Sequence, residues 1–184
     1  MRRAGTPLAY SEGFHPQPKI QLASALPLGF TSSAEVADIW LREEWDAQEL
    51  KNRVIDKLPP GIEVQSVGQI IKKEKSLQSK LRAAEYQVQV ECEVEVSLID
   101  RVDSLLAKDE IHRVRRGKEY DLRPLVEKLE VDSHNEQVSF QLSMRLTARE
   151  RATGRPEEVL SALGLDECRT QIHRSKLIFI DNGS

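Results

Sequence analysis

Cysteine is nearly missing from this chain: among 184 residues only Cys92 and Cys168 carry a thiol. Neither has a second cysteine close by in sequence, which excludes a zinc knuckle and a cysteine-held iron–sulfur cluster. Both are read as structural thiols, Cys92 because it falls at an inward position of a strand pattern. Long apolar runs are missing as well. None approaches the roughly 20 residues that a membrane-crossing helix needs. No basic-then-apolar leader opens the chain, so a cytoplasmic location is expected. Excess charge of one sign is small, at −3, which argues against a protein that coats nucleic acid but leaves room for a local basic patch. Aromatics make up only 5% against 31% charged residues, the balance of a soluble globular chain. No phosphate-cradling glycine loop, zinc motif or nucleophile elbow occurs.

The stretch with the most to say is Leu8 to Phe30, LAYSEGFHPQPKIQLASALPLGF. Gly13, Pro16, Pro18, Pro27 and Gly29 punctuate it, and Ser11, Glu12, His15, Gln17 and Lys19 fill the first gaps. Proline fixes φ and pushes the residue before it toward extended geometry. His15 and Gln17 both precede prolines, so the loop is expected to be stiff and presented to its surroundings. A stiff polar loop feeding a strand is where binding chemistry tends to sit; the plainer alternative is a rigid connection whose side chains face water.

Along the rest of the chain, Met1 to Gly5 reads as the end of a helix, with Arg2 and Arg3 suited to its negative pole and Gly5 to a left-handed stop. A strand is expected at Ile20–Leu26 and another at Glu35–Glu43, with Ala37, Ile39 and Leu41 inward. Asp46 and Glu49 form a capping-box-like start to a helix bearing Leu50, Val54 and Leu58, which Pro59-Pro60-Gly61 ends. Ile62–Ile71 reads as a strand, and Lys72 to Arg82 as a basic linker. Beyond it, Tyr86, Val88, Val90, Cys92, Val94 and Val96 alternate with polar residues, the mark of a half-buried strand. A short helix follows Ser97, then a basic strand Ile111–Arg116, a connection Tyr120–Asp132, and a turn at Ser133–Glu136. A second alternating strand runs over Val138–Arg149. Pro156 opens a helix that Gly164 closes, and a last strand spans Gln171–Ile180.

The second half thus reads β-α-β-β-α-β, the order of the split-βαβ, ferredoxin-like unit. The first part matches the last four elements of that order. The expectation is an α+β chain of two ferredoxin-like halves, residues 1–71 and 85–184 joined by a basic linker at 72–84, the first half truncated. A sheet that lacks its central strand would expose edges, so a rearranged first half or a homodimer through an exposed edge is expected. On the open face, Glu91, Glu93 and Glu95 are expected to pair with Arg145 and Arg149 across neighbouring strands. Neither strand offers an outward aromatic for base stacking.

Three segments carry a family resemblance: RRAGTPLAYSEGFHPQPKIQLASALPLGF at the start, RRGKEYDLRPLV at Arg115–Val126 and RPEEVLSALG at Arg155–Gly164. Together with Ile172–Arg174 they resemble the radical-SAM-linked bacterial family, a domain of unknown function (2344). Its members commonly begin earlier, with a strand and a helix before the Arg-Arg-Ala-Gly segment. They often show Asn-Pro-His-Pro where this chain has His15-Pro16-Gln17-Pro18, a shift of the histidine by two places. The resemblance implies an accessory domain that works beside a radical S-adenosylmethionine (SAM) protein. It supplies no active site to carry over. This chain lacks a three-cysteine loop for a cluster, so S-adenosylmethionine and the iron–sulfur cluster would belong to the partner.

The leading expectation is a non-catalytic accessory module that docks on a radical SAM protein and presents its substrate, with RNA or a translation-related protein as candidate. The binding residues expected are Tyr10, Ser11, Glu12, His15 and Lys19 of the loop, with Arg113, Arg115, Arg116, Lys118 and Arg123, whose guanidinium forks match phosphate oxygens. The basic cluster can equally be a solvated strand edge, and Asp121 with Arg123 a buried ion pair. The alternatives are a stand-alone, metal-independent RNA-processing or RNA-modifying enzyme using His15 with Lys19 and Tyr10, and a structural assembly domain. His112, His134 and His173 are read as structural.

Overall fold

In the computed structural model, residues 5–70, 75–92, 97–135 and 139–180 are described. Their strands are β1 (Ile20–Leu22), β2 (Thr31–Ser32), β3 (Ala37–Ile39), β4 (Leu81–Glu91), β5 (His112–Arg115), β6 (Lys118–Asp121), β7 (Val126–Asn135), β8 (Ser139–Arg149), β9 (Ala152–Thr153) and β10 (Arg169–Phe179). The helices are α1 (Ala47–Ile55), α2 (Leu77–Lys80), α3 (Leu98–Leu106) and α4 (Pro156–Ala162), with a 3-10 turn at Arg123–Leu125. The class is α+β. The chain forms two compact units: Met1–Ala23 with Ala37–Leu77, and Ser24–Val36 with Gln78–Ser184. No helix among the described residues is long and apolar enough to cross a membrane.

The first unit is small. β1 and β3 pair antiparallel, Ile20 opposite Ile39 and Leu22 opposite Ala37. The Asp46 carboxylate accepts the N–H groups of Gln48 and Glu49 at 2.9 and 3.0 Å, so the expected cap does start α1. Leu50 and Val54, one turn apart, are buried and gather Ile39, Leu41, Trp45, Leu58, Val64 and Val67 around them. The strand expected at Ile62–Ile71 does not form over residues 62–70, and Ile71 lies outside the described residues. Val64 and Val67, three apart rather than two, pack onto α1 instead, and the Lys51 ammonium holds the Gln65 carbonyl at 2.7 Å. The expected strands at Ile20–Leu26 and Glu35–Glu43 shrink to three residues each. The reason lies between them: Ser24–Val36 leaves this unit for the other.

In the second unit the strands run β2-β10-β4-β8-β7, with β9 against the end of β8. Only β2 is parallel to its neighbour; the remaining pairs are antiparallel. The connections through α3 and α4 each join two parallel strands with one antiparallel strand between them. Alternation places Tyr86, Val88, Val90, Phe140, Leu142, Met144 and Leu146 in the core, as the period-two pattern requires. Leu98, Val102 and Leu105 of α3 and Val159 and Leu160 of α4 are likewise buried. Gly164 ends α4 at φ 72°.

Two expectations are corrected here. The basic segment at Ile111–Arg116 is not a strand of the main sheet; β5 pairs only with β6, in a hairpin. Arg116 and Gly117 form its tip, both at positive φ, 52° and 76°, the left-handed geometry of a two-residue hairpin turn. The strand that pairs with β8 is β7, in the segment expected to be a connection and a turn. Its bulges, between Val126 and Lys128 and between Val131 and Ser133, break the alternation by which a strand is recognised.

The cysteines are also corrected: they are not free thiols but a Cys92–Cys168 disulfide, Cα atoms 5.2 Å apart. Glu91 and Arg169 are partners in the β4–β10 register, so the residue after one strand faces the residue before the other. The 76-residue separation conceals this in the sequence. The expected charge pairing on the open face is redrawn too. Arg145 binds Glu85, its direct cross-strand partner, at 2.5 Å, and Glu91 faces Arg169 at 3.7 Å. Glu93 and Glu95 lie outside the described residues.

Candidate functional site

The loop residues singled out in the sequence do sit together, in the first unit. Tyr10 bridges Pro18, the Ser11 N–H donates to the Gln17 carbonyl at 2.8 Å, and the Gln17 N–H donates back to Ser11 Oγ at 2.9 Å. These bonds pinch the base of a short protrusion, as the prolines predict. Glu12, His15 and Lys19 are exposed on it. At its tip Gly13 adopts φ 123° and Phe14 stands wholly exposed. A bare phenylalanine on a rigid turn is unusual, since burying one is worth roughly 1.5–3 kcal/mol. Sequence reasoning passed over Phe14, although a lone aromatic in a polar loop was the signal. Beside the protrusion, the Arg42 guanidinium lies over the Tyr10 ring, 5.5 Å from its centroid.

The basic residues belong to the second unit, and two of them, Arg115 and Arg123, spend their hydrogen bonds internally. Arg115 grips both carboxylate oxygens of Glu158, the Thr153 carbonyl at 3.0 Å and the Tyr120 hydroxyl at 3.4 Å, with its guanidinium 4.7 Å above the Tyr120 ring. Burial pulls the Glu158 carboxyl up, but the Arg115 and Tyr120 hydrogen bonds outweigh it and hold the group below the usual range. Burial pushes the Tyr120 phenol up, helped by Glu158. Arg123 donates to the carbonyls of Leu106 and Val126, both at 3.2 Å.

Asp121 and Arg123 are not the buried ion pair that was one expectation. The Asp121 carboxylate accepts backbone N–H groups, from Ile111 at 2.7 Å and from Arg123 at 2.9 Å. The Ile111 bond is the main reason its carboxyl lies below the usual range. Both residues fasten the hairpin's ends. Arg113 has a buried Nε with no hydrogen-bond partner among the described residues. Arg116 and Lys118 remain exposed at the hairpin tip. The cluster thus divides into structural arginines and two outward cations.

A second constellation is not apparent from the sequence. Arg174 is only 1% exposed. It sits opposite Tyr86 in the β10–β4 register, on the same inward row as Ile172. Its guanidinium donates to both carboxylate oxygens of Glu35 at 2.6–2.8 Å, to Ser24 Oγ at 3.3 Å and to the Ser24 carbonyl at 3.2 Å. Ser24 and Glu35 are the two ends of the strap that crosses from the first unit's sequence into the second. Ser32 Oγ and the Ser33 N–H reach the Arg174 carbonyl at 3.0 and 3.1 Å. On the adjoining residue, His173 meets Thr31 Oγ1 through Nδ1 at 2.8 Å and Ser33 Oγ through Nε2 at 3.0 Å. Burial raises the Tyr86 phenol, against the pull of Arg174. Within the strap Leu28 is wholly exposed. An arginine at an inward position two residues after Ile172 was the available clue, because a buried arginine needs a partner. Of the other histidines, His112 pairs with Glu110 at 3.2 Å on the surface, and the side chain of His134 lies outside the described set.

Comparison with known proteins returned one family. The model of the family described as "Uncharacterized protein conserved in bacteria (DUF2344)" matches residues 1–156. No curated protein and no solved structure matches the chain.

Proposed function

The chain belongs to the DUF2344 family of uncharacterized proteins conserved in bacteria, and on that premise we propose that it is a non-catalytic accessory module that docks on a radical SAM protein. The observation that carries this is the pinched Tyr10–Lys19 protrusion with Phe14 bare at its tip. Rigid loops with an exposed aromatic suit recognition, because little conformational entropy is lost when the anchor is buried in a partner's pocket. Ser11, Glu12, His15 and Lys19 supply the polar rim. Support for a ferredoxin-like second unit comes from its antiparallel β10-β4-β8-β7 row and its two crossovers through α3 and α4. RNA is the candidate substrate to be presented, contacted through Arg116 and Lys118.

The test is affinity capture from the source cell with the wild-type chain and its Phe14→Ala variant, read by mass spectrometry. Recovery of a radical SAM protein by the wild type and its loss from the variant is the expected outcome. Failure to recover one from a folded bait overturns the accessory role. Turnover of an RNA substrate by the isolated chain, abolished in His15→Ala, would establish the enzyme instead. RNA binding is checked separately by its salt dependence, since each phosphate contact contributes close to one unit of slope.

A further inference from the structure

Strand β7 stands at the end of the row β2-β10-β4-β8-β7, and among the described residues it pairs with β8 alone. Beside it lies a groove of about 320 Å³, lined by Ile99, Val102 and Asp103 of α3 and by four consecutive residues of β7, 129–132. Successive strand residues point to opposite faces. A groove that touches four in a row therefore follows the strand's edge, where N–H and C=O groups lack a strand partner. The helix contributes positions i, i+3 and i+4, a single face.

The chemistry of the groove alternates with the strand. Leu129 and Val131 share one face of β7, beside the buried Val102 and a half-exposed Ile99. Glu130 and Asp132 fall at the intervening positions, and Asp103 adds a third carboxylate from the helix. Lys128 reaches Glu130 at 2.7 Å and Ser143 donates to Asp132 at 2.9 Å, so among these contacts one ammonium offsets one of three acids and the rim stays anionic.

We propose that this groove receives an extended segment of a partner protein as an added strand on β7, a segment in which lysine or arginine alternates with aliphatic residues. Main-chain bonds to the edge hold such a segment, and side-chain pockets select it. Its aliphatic residues lie over Val131 and Ile99, while its cations meet Glu130 and Asp132 on the other face and feel the field of Asp103 from the helix. Period-two alternation in the guest thus matches that of the host over residues 128–131, ahead of the bulge at Asp132. This groove is distinct from the Tyr10–Lys19 protrusion, and its test does not depend on what that loop binds.

The probe is a fluorescein-labelled nine-residue peptide of alternating Lys and Val, titrated against the full chain and followed by anisotropy. Three control peptides share its residues: one with lysines and valines in separate blocks, and two alternating peptides N-methylated at every second amide, one for each edge. Saturable binding of the alternating peptide is expected. Weakening by about tenfold or more is expected for the blocked peptide, for one of the N-methylated peptides and for the Glu130→Lys variant. Asp103→Lys provides a second exposed charge reversal, on the helix rather than the strand, with circular dichroism verifying that both variants fold. Slowed amide exchange confined to β7 and α3 would place the peptide at the groove. Equal binding of the blocked or of both methylated peptides would reduce the effect to bulk charge attraction and overturn the inference. Absence of binding, or binding unchanged in both folded variants, would overturn it as well.

Discussion

The loop Tyr10–Lys19 and the strap Ser24–Val36 come from one continuous, proline- and glycine-punctuated stretch of sequence, yet they are put to opposite uses. The strap is fastened at both ends by a buried guanidinium, with Ser24 and Glu35 on the same Arg174, and it lays β2 against β10. The loop is closed on itself by backbone and serine bonds, and its charged side chains lie in water. Similar breaker chemistry shapes both. What separates them is whether a distant charged residue is present to hold the segment down.

Breaking the strap should have the largest effect. Glu35→Gln leaves the buried Arg174 guanidinium without its anion, and a loss of about 3–5 kcal/mol in urea unfolding is expected. Arg174→Lys should itself lose part of this, because an ammonium cannot bind the carboxylate in a two-pronged fashion. A loss below about 1 kcal/mol, the range of surface pairs, would show that the strap is not held by this bond.

Next comes the covalent fastening of β10 to its other neighbour, β4. Reducing Cys92–Cys168, or replacing both with serine, should cost about 2–4 kcal/mol, as closure of a long loop implies. The measurement is thermal unfolding with and without reductant, and an unchanged midpoint would mean that the β4–β10 pairing needs no crosslink.

The hairpin's clasp is smaller and depends on pH. Glu158 has a lowered carboxyl pKa, so its contribution is present above the unfolded value of about 4.3 and lost as pH falls through the folded one. Glu158→Gln should cost about 1.5 kcal/mol at neutral pH. The gap between wild type and variant should close as the solution is acidified below about pH 4. A gap that stays constant with pH would assign the loss to packing rather than charge.

The smallest effect on stability belongs to the loop tip. Phe14→Ala should change unfolding by no more than about 0.5 kcal/mol, because the ring contacts little of its own protein. Loss of partner capture with unchanged stability would complete the contrast between a fastened strap and a presented loop. Marked destabilisation would show that Phe14 is part of the fold.

Short-range patterns are legible in the sequence. Asp46 as a cap, Gly164 as a stop, the alternating β4 and β8, and the proline-stiffened loop all rest on neighbours within a few residues. Strand β7 is not legible, because its bulges erase the alternation. The expected Ile62–Ile71 strand fails because hydrophobic residues alone supply no pairing partner. The candidate site is legible as a loop but not in its anchor. The basic cluster is legible in composition, while the sequence could not say that Arg115 and Arg123 are occupied by Glu158 and by carbonyls.

What the chain determined by itself was local: which segments curl, which extend and which turn, since these follow from φ preferences and from side-chain period. The α+β class follows from the same patterns. Tertiary structure alone decided the rest. It set Arg174 between Ser24 and Glu35, joined Cys92 to Cys168 across 76 residues, and left β7 with an edge beside α3. Each depends on strand order and register, and those arise from long-range burial and pairing energies, which no window of neighbouring residues contains.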